Sequence, residues 1–335
     1  MKVLVVGGAG YIGSHMVLSL VEQRHEVIVL DDLSTGHAGA VPPGMLVPGS
    51  IADSAVLDRV LLEHQPDAVM HFASFIQVGE SVEQPAKYYR NNFVNTLNLL
   101  DAMVRHGVKR FVFSSTAAIF SESDLPIAED HPKQPINAYG RSKRMVEQAL
   151  EDYDRAYGLK SCCLRYFNAA GADPEGRTGE RHDPESHLIP LLLQAASGRR
   201  ACVRVYGRDY PTLDGTCIRD YIHVLDLCSA HLLALHRLAR TGSSAAYNLG
   251  NGTGFSVQQV IDTVRAVTGK PLEIIDSARR PGDRARLVAD STLARRELGW
   301  SPRYDALERI VLHAWRWEQK IAAEPTVYRS GIRPD

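Results

Sequence analysis

Short apolar runs alternate with helical periodicities through the first half of the chain. The runs are too short for helices and predict buried β-strands. They cover residues 3–6, 26–30, 67–72, 110–114 and 162–167. Between them, apolar residues recur every three or four positions, which predicts helices with one buried face. The first of these helices begins near residue 12, and the others cover 54–64, 93–104 and 140–157.

The predicted strands show little alternation of polar and apolar residues, so both faces of their sheet should be covered. This pattern is typical of an α/β fold, a doubly wound and mainly parallel sheet with helices on both faces. After residue 171 the pattern loosens into polar, glycine-rich stretches and three further helices, at 224–239, 256–268 and 305–320. We predict a large domain, 1–171, to which part of 220–250 returns, and a smaller mixed α/β domain, 172–335.

Three glycines, Gly7, Gly10 and Gly13, follow the first strand and open the first helix. Glycine lets the chain turn sharply and approach a pyrophosphate without a Cβ in the way. The helix N-terminus offers N–H groups and a partial positive charge to that anion. Asp31 ends the second strand, where a carboxylate binds the adenosine ribose and repels a 2′-phosphate. Strand, glycines and helix together predict a Rossmann domain that binds NAD rather than NADP.

A tyrosine and a lysine, Tyr139 and Lys143, stand four residues apart and would share one face of a helix. A phenol has a pKa near 10 and is a poor base at neutral pH. An adjacent ammonium, together with the positive nicotinamide, would lower that pKa. The strand before this helix runs into Thr116, whose hydroxyl could approach the same substrate oxygen. We therefore predict that Tyr139, Lys143 and Thr116 are catalytic.

Composition and charge exclude several other classes of protein. The 335 residues have a formal net charge of −1, so there is no overall basic field for nucleic acid or an anionic membrane. No apolar stretch approaches the roughly 20 residues of a membrane span. Five cysteines without C-x-x-C spacing predict reduced thiols in a cytoplasmic protein. His182 and His187 have no further ligand spacing beside them, so we expect no metal.

Motifs along nearly the whole chain resemble the extended short-chain dehydrogenase/reductase family and, within it, the UDP-glucose 4-epimerases. The broader family has a G-x-x-G-x-x-G loop, a Ser or Thr and Y-x-x-x-K, which match the glycines, Thr116, Tyr139 and Lys143 described above. The closer resemblance is carried by VVGGAGYIGSH, HFA…VGESV, LRYFNAAGADP, DYPTLDGTCIRDYIHV and YNLGNGTGFSV. The fourth segment is the longest and the most specific.

The resemblance implies NAD-dependent 4-epimerisation of a UDP-sugar, UDP-glucose or UDP-galactose, in a homodimer formed through helices near 92–106 and 141–157. Tyr139 would take the proton of the sugar 4-hydroxyl, and a 4-keto sugar would turn over before its reduction. The implied NAD contacts are Gly7, Gly10, Tyr11, Ile12, Gly13, Asp31, Asp32, Ser50, Ile51, Phe72, Ala73, Asn91, Ser114, Tyr139, Lys143 and Tyr166. The implied UDP-sugar contacts are Thr116, Tyr139, Asn168, His187, Leu188, Tyr206, Arg219, Arg280, Asp283 and Leu287.

Four positions depart from the best-known members of this family. Ser50 and Ile76 stand where relatives have Asp and Lys near the cofactor, and His187 stands where some have Asn near the sugar phosphate. Leu287 occupies the position that walls the sugar pocket, where a small residue admits N-acetylhexosamines and a bulky one restricts the site to plain hexoses. Its middle size favours hexoses and leaves UDP-N-acetylhexosamine and UDP-pentose 4-epimerisation as alternatives.

Two other functions share the expected fold. A sugar-nucleotide 4,6-dehydratase resembles the epimerases but has an Asp-Glu pair directly after the Thr, where this chain has Ala117 and Ala118. A non-catalytic NAD-sensing protein commonly lacks the Tyr or the Lys, both of which are present here. The sequence therefore disfavours both functions, although the fold alone could not exclude the second.

Overall fold

The computed structural model describes residues 1–280 and 283–323. Residues 324–335 of the predicted second domain therefore lie outside the described part. The strands are β1 (Lys2–Val6), β2 (Glu26–Asp31), β3 (Leu46–Pro48), β4 (Ala68–His71), β5 (Arg110–Thr116), β6 (Lys160–Tyr166), β7 (Asn168–Ala170), β8 (Val203–Tyr206), β9 (Ile218–His223), β10 (Ala245–Leu249), β11 (Gly254–Ser256), β12 (Ile274–Ser277) and β13 (Arg286–Leu287).

The α-helices follow the strands in alternation through the first half. They are α1 (Tyr11–Glu22), α2 (Ser54–His64), α3 (Val78–Glu83), α4 (Pro85–Tyr88), α5 (Asn95–Arg105), α6 (Ala138–Tyr157), α7 (Leu188–Ala196), α8 (Val224–Thr241), α9 (Val257–Thr268), α10 (Thr292–Leu298) and α11 (Leu307–Ala323). A π-helical turn, Tyr89–Val94, connects α4 to α5. Among the described residues, none of the helices has the length and apolarity needed to cross a bilayer.

Seven strands form one large sheet in the order β10-β6-β5-β4-β1-β2-β3. Every pair of neighbours in it is parallel. One apolar core lies between the sheet and helices α1 and α8, and a second lies on the opposite face against α2, α5 and α6. Because both faces are buried, the strands need no polar alternation. The predicted doubly wound parallel fold is confirmed.

The strand order reverses at β1, with β2 and β3 on one side and β4 on the other. The loops that follow β1 and β4 meet there, because the amides of Phe72 and Ala73 both donate to the carbonyl oxygen of Val6. Ligands of doubly wound sheets bind in the crevice outside the strand ends at such a point. This edge of the sheet is therefore the expected position of a dinucleotide.

The second half of the chain contributes to both parts of the molecule. The segment 220–250, part of which we expected to return to the first domain, includes β10, which pairs with β6, and α8, which packs in the core with α1. The remaining strands form two small sheets, one of β11-β9-β13 with β7 beside β9, and one of β12-β8. Helices α7, α9 and α11 share a third apolar core with these sheets. The domain boundaries remain a prediction.

Side-chain caps explain where two of the helices begin. The carboxylate of Asp53 accepts hydrogen bonds from the amides of Ala55 and Val56, as expected for a cap of α2. The side chain of Asn137 accepts from the amide of Gly140 at 2.8 Å and starts α6 at Ala138. The cap starts α6 two residues earlier than predicted, so Tyr139 lies within the first turn of the helix.

Candidate active site

The glycine-rich loop between β1 and α1 is closely packed against the loop that follows β4. Gly7 has a positive φ of 80°, and a Cβ there would overlap the backbone of Ala73. A Cβ at Gly13 would overlap the carbonyl oxygen of Gly7. Gly10 precedes the first residue of α1, so the free N–H groups of the first turn face this loop. The loop has the close backbone approach and the helix N-terminus that a pyrophosphate requires.

Two acidic residues end β2 beside this loop. The carboxylate of Asp31 accepts from the amides of Ala9 and Leu33, both at 2.8 Å, and burial raises its pKa. Asp32 accepts from Ser34, and the hydroxyl of Ser50 donates to it at 3.3 Å. The structure thus places Asp31, Asp32 and Ser50 at one edge of the crevice, where the adenosine of a dinucleotide is expected.

The other predicted NAD contacts lie along the same edge of the sheet. Tyr11 and Ile12 form the first turn of α1, and the Tyr11 hydroxyl donates to the carbonyl oxygen of Gly171 at 2.7 Å. Ser114 of β5 and Tyr166 of β6 share a hydrogen bond between their hydroxyls. The remaining members are Ile51 before α2, Phe72 and Ala73 after β4, and Asn91 in the π-helical turn.

Tyr139 and Lys143 lie on one face of α6, next to the end of β5. Lys143 is only 2% exposed, and its Nζ donates to the carbonyl oxygen of Ser114 at 2.8 Å. The same ammonium lies 4.8 Å from the ring centroid of Phe113. Thr116 ends β5, and its hydroxyl interacts with the phenol of Tyr139. The structure therefore brings together the three residues predicted to be catalytic.

Burial controls the protonation of this group. It raises the pKa of the Tyr139 phenol above its usual value, and the hydrogen bond with Thr116 lowers it by less. It lowers the pKa of Lys143 to about 7, although the charge of Glu147 acts in the other direction. We predicted that Lys143 and the positive nicotinamide together would lower the pKa of the phenol. In the chain alone the pKa is raised instead, because the desolvation of Tyr139 outweighs the hydrogen bond from Thr116. The charge of the nicotinamide, the second part of that prediction, comes only with the cofactor.

A buried ion pair that sequence reasoning missed supports α6. The carboxylate of Glu147 accepts from Arg165 Nε at 2.9 Å and Nη2 at 2.8 Å, and from the hydroxyl of Ser115 at 2.6 Å. These contacts tie α6 to β6 and β5. Glu147 stands one turn after Lys143, so helical spacing could have indicated it.

Apart from Thr116 and Tyr139, the predicted substrate contacts lie on the small sheets, between β12 and β13, and at the start of α7. Asn168 of β7 donates to the carbonyl oxygen of Asp220 at 3.1 Å. Arg219 of β9 forms an ion pair with Asp283. The guanidinium of Arg280 lies 4.0 Å from the ring centroid of Tyr206.

Leu287 connects the substrate side to the catalytic side. It pairs with Arg219 in the sheet register, and its side chain packs against Ile119, Phe120 and Ile127. Ile119 and Phe120 of this cluster follow Thr116 within four residues. The position of Leu287 fits the predicted wall of a sugar pocket, and its role remains a prediction.

Sequence reasoning also missed a cluster of side chains before α7. His187 precedes the first residue of the helix, Leu188, and its Nδ1 forms an ion pair with Glu180. The Nδ1 of His182 lies 3.1 Å from the same carboxylate oxygen, and Glu185 lies beside both imidazoles. The expectation of no metal rested on the lack of further ligands near the histidines. The fold supplies two carboxylates that are close in space.

Fold and site together define a class of dinucleotide-dependent enzymes that act on a hydroxyl or carbonyl group. The glycine-rich loop lies at the switch point, and a tyrosine and a buried lysine lie at the same edge of the sheet. The profile of the NAD dependent epimerase/dehydratase family matches residues 3–250 of the chain. The chain belongs to this family.

Several relatives of similar sequence are named as UDP-glucose 4-epimerases. The one from Halalkalibacterium halodurans is 53% identical over 321 residues, which cover 96% of each chain. The solved structure of the Brucella ovis enzyme in complex with NAD has a TM-score of 0.92 and 48% identity, over 95% of this chain and 98% of that one.

A further solved structure, from Stenotrophomonas maltophila, holds NAD and formylated UDP-arabinopyranose. It has a TM-score of 0.92 and 40% identity, over 96% of this chain and 99% of that one. Together with the family match, these structures confirm the predicted fold and identify NAD as the cofactor. The closely packed loop at Gly7 and Gly13 and the carboxylate of Asp31 fit this cofactor.

Proposed function

We propose that the protein interconverts UDP-glucose and UDP-galactose by transient oxidation at C4 through a 4-keto sugar. The observation that carries this proposal is the contact of the half-buried Tyr139 with the buried Thr116, on the same edge of the sheet as the glycine loop. Family membership and the high identity to UDP-glucose 4-epimerases support it over nearly the full length of the chain.

Tyr139 is the proton carrier of the proposed reaction. NAD, when bound, supplies the oxidant at C4 and returns the same hydrogen to that carbon. The phenolate form of Tyr139 takes the proton of the 4-hydroxyl and later gives it back, while Thr116 hydrogen-bonds the sugar oxygen. Lys143, held by the carbonyl of Ser114, supplies positive charge near the phenolate when protonated.

The substrate side must hold the nucleotide while the sugar turns over. We assign this to the predicted UDP-sugar contacts on β7, β8, β9 and β13, between β12 and β13, and at the start of α7. Arg219 and Arg280 offer planar guanidinium groups that suit a diphosphate. The Nδ1 of His187 is engaged by Glu180, which leaves Nε2 as the ring atom available to a phosphate oxygen.

Leu287 selects the sugar in this proposal. Its side chain forms part of an apolar cluster with Phe120 and Ile127, so a larger C2 substituent would have to displace packed groups. We therefore favour plain hexoses. UDP-pentoses, which need less room, are the second candidate, because a similar solved structure holds a UDP-arabinopyranose derivative.

A panel of UDP-sugars tests the proposed function. The purified protein, without added coenzyme, is incubated with UDP-glucose, UDP-N-acetylglucosamine, UDP-xylose and UDP-glucuronate, and each 4-epimer is quantified by chromatography. We expect the highest kcat/KM for UDP-glucose. Failure to epimerise any UDP-hexose or UDP-pentose would remove the proposal. A preference for UDP-xylose or UDP-N-acetylglucosamine would replace the proposed substrate and keep the reaction.

The cellular location and the assembly are also proposals. Five free cysteines, four of them buried, favour a reducing compartment and hence the cytoplasm. We propose a homodimer formed through α5 and α6. Light scattering after gel filtration should give twice the chain mass of 37.0 kDa. A monomer at micromolar concentration would contradict the dimer.

A further inference from the structure

Four metal-ligating side chains converge in the loop that leads into α7. Glu180, His182, Glu185 and His187 each offer one ligand atom, and these four atoms lie within 4.8 Å of one another. The carboxylates are nearly buried, with side-chain exposures of 5% for Glu180 and 3% for Glu185. The imidazoles of His182 and His187 are 21% and 41% exposed. The carboxylates of the cluster are therefore buried, and its imidazoles are partly exposed to the solvent.

The two imidazoles direct the same ring atom at the same point. Nδ1 of His187 is paired with Oε1 of Glu180, and Nδ1 of His182 lies 3.1 Å from that oxygen. The carboxylate of Glu185 lies 3.6 Å from Nδ1 of His187 and 3.7 Å from Nδ1 of His182. Nδ1 of His182 is buried and faces both carboxylates, so the four ligand atoms converge on one point.

These ligand atoms match a divalent cation that is intermediate between a hard and a soft Lewis acid. Two imidazole nitrogens and one or two carboxylate oxygens are the ligands that Zn²⁺ and its neighbours in the first transition row prefer. Ca²⁺ and Mg²⁺ instead prefer six or more oxygens, which two carboxylates do not provide. Two neutral imidazoles and two carboxylates carry a charge that one divalent ion would balance.

Surrounding groups fix the backbone and the orientation of the cluster. The indole nitrogen of Trp317, on α11, donates to the carbonyl oxygen of Glu180 at 2.9 Å. The carboxylate of Glu185 accepts from the amide of His187 at 2.9 Å. The ring of Tyr11, in the first turn of α1, meets the ring of His182 edge-on at 6.3 Å. Such outer contacts are what hold the ligands of a metal site in place.

We propose that Glu180, His182, Glu185 and His187 bind one divalent transition-metal ion, with Zn²⁺ as the best match to the donors. The ion would fix the conformation of the loop before α7, which itself contacts the first turn of α1 and α11. The site contains neither Tyr139 nor Thr116, and it shares His187 with the proposed UDP-sugar contacts. Its test uses the metal alone, so its result does not depend on which sugar the enzyme accepts.

The first experiment measures binding of Zn²⁺ to tag-free, EDTA-treated holoenzyme by titration calorimetry. We expect about one equivalent per chain. Loss of one ligand should weaken binding by more than about 100-fold, beyond the effect of an outer-shell change. The variants are His182→Ala and the nearly isosteric Glu185→Gln, and the matched control is His64→Ala, at the end of α2. The control should bind as the wild type does.

The second experiment uses Co²⁺, which gives visible absorption bands that report nitrogen and oxygen ligation. The wild type and His64→Ala should give the same bands, and Glu185→Gln should lose them while keeping its circular dichroism and bound NAD. Wild-type protein that binds neither Zn²⁺ nor Co²⁺ would show that the four groups form only ion pairs with one another. Binding that both cluster variants retain would place the metal elsewhere. Either result would overturn the proposal.

Discussion

Tyr139 is half-buried beside Thr116, and its side chain differs from that of phenylalanine only by the hydroxyl group. Because the ring is unchanged by the substitution, Tyr139→Phe should fold and retain NAD. It should lose about 10²- to 10⁴-fold in kcat, the usual contribution of a positioned proton carrier. Steady-state epimerase assays, with bound NAD measured by absorbance, check this.

The matched control for Tyr139→Phe is Tyr157→Phe, at the other end of the same helix. Tyr157 is 49% exposed, so its loss of a hydroxyl should leave kcat unchanged. If Tyr139→Phe turned over at the wild-type rate, Tyr139 would have no part in the chemistry.

Lys143 links stability to pH in a predictable direction. Burial lowers its pKa to about 7 in the folded chain, below the value of roughly 10.4 expected when unfolded. Between these values the unfolded chain binds more protons, so this lysine makes the free energy of unfolding rise with pH, by at most about 1.4 kcal/mol per pH unit. Below pH 7 both states are protonated, and its unfavourable contribution is constant.

Lys143→Met should remove that slope. Urea unfolding at several pH values from 7 to 10 should show a flatter dependence than in the wild type. Lys109→Met, a change in the loop before β5, should keep the wild-type slope. An identical slope in Lys143→Met and the wild type would show that the pKa of this lysine is not lowered by burial.

At the scale of elements, α6 is held in place by one buried ion pair. Glu147 joins it to Arg165 on β6 and to Ser115 on β5. Removing one partner of a buried pair leaves an uncompensated charge and costs about 3–5 kcal/mol. We expect this loss in the free energy of unfolding for Glu147→Leu, measured with urea.

Two companion variants test that the loss comes from the unpaired charge. Glu151→Leu, one turn further on the same helix, changes a carboxylate that is 57% exposed and should cost within about 0.5 kcal/mol. The double change Glu147→Leu with Arg165→Met should recover part of the stability. If Glu147→Leu were as stable as the wild type, the pair would not hold α6.

Elements with local signals were predictable from the sequence. The central strands β1, β2, β4, β5 and β6 are buried on both faces, so they appear as apolar runs. In the small sheets, β12 and β13 have only four and two residues and are partly exposed. No apolar run comparable to those of the central strands therefore marks them in the sequence. The start of α6 was placed two residues late, because the prediction did not use the cap that Asn137 provides.

At the scale of the molecule, the site combines local and non-local parts. The glycine loop and the Tyr139–Lys143 spacing lie within single segments, and pattern or resemblance identified them. The ion pair of Arg219 with Asp283 and the approach of Glu180 to His182 and His187 depend on how the loops fold back. The direction of the pKa shift of Tyr139 depends on burial, which the sequence does not show.

The proposed mechanism requires that one proton carrier and one bound oxidant act at the same carbon of the substrate. The most direct test is to supply UDP-galactose labelled with deuterium at C4 and to analyse the product UDP-glucose by NMR and mass spectrometry. Because the hydrogen removed from C4 is held within the site and returned, the product should retain the deuterium at C4 in ordinary water. Replacement of that deuterium by solvent hydrogen would contradict transient oxidation at C4.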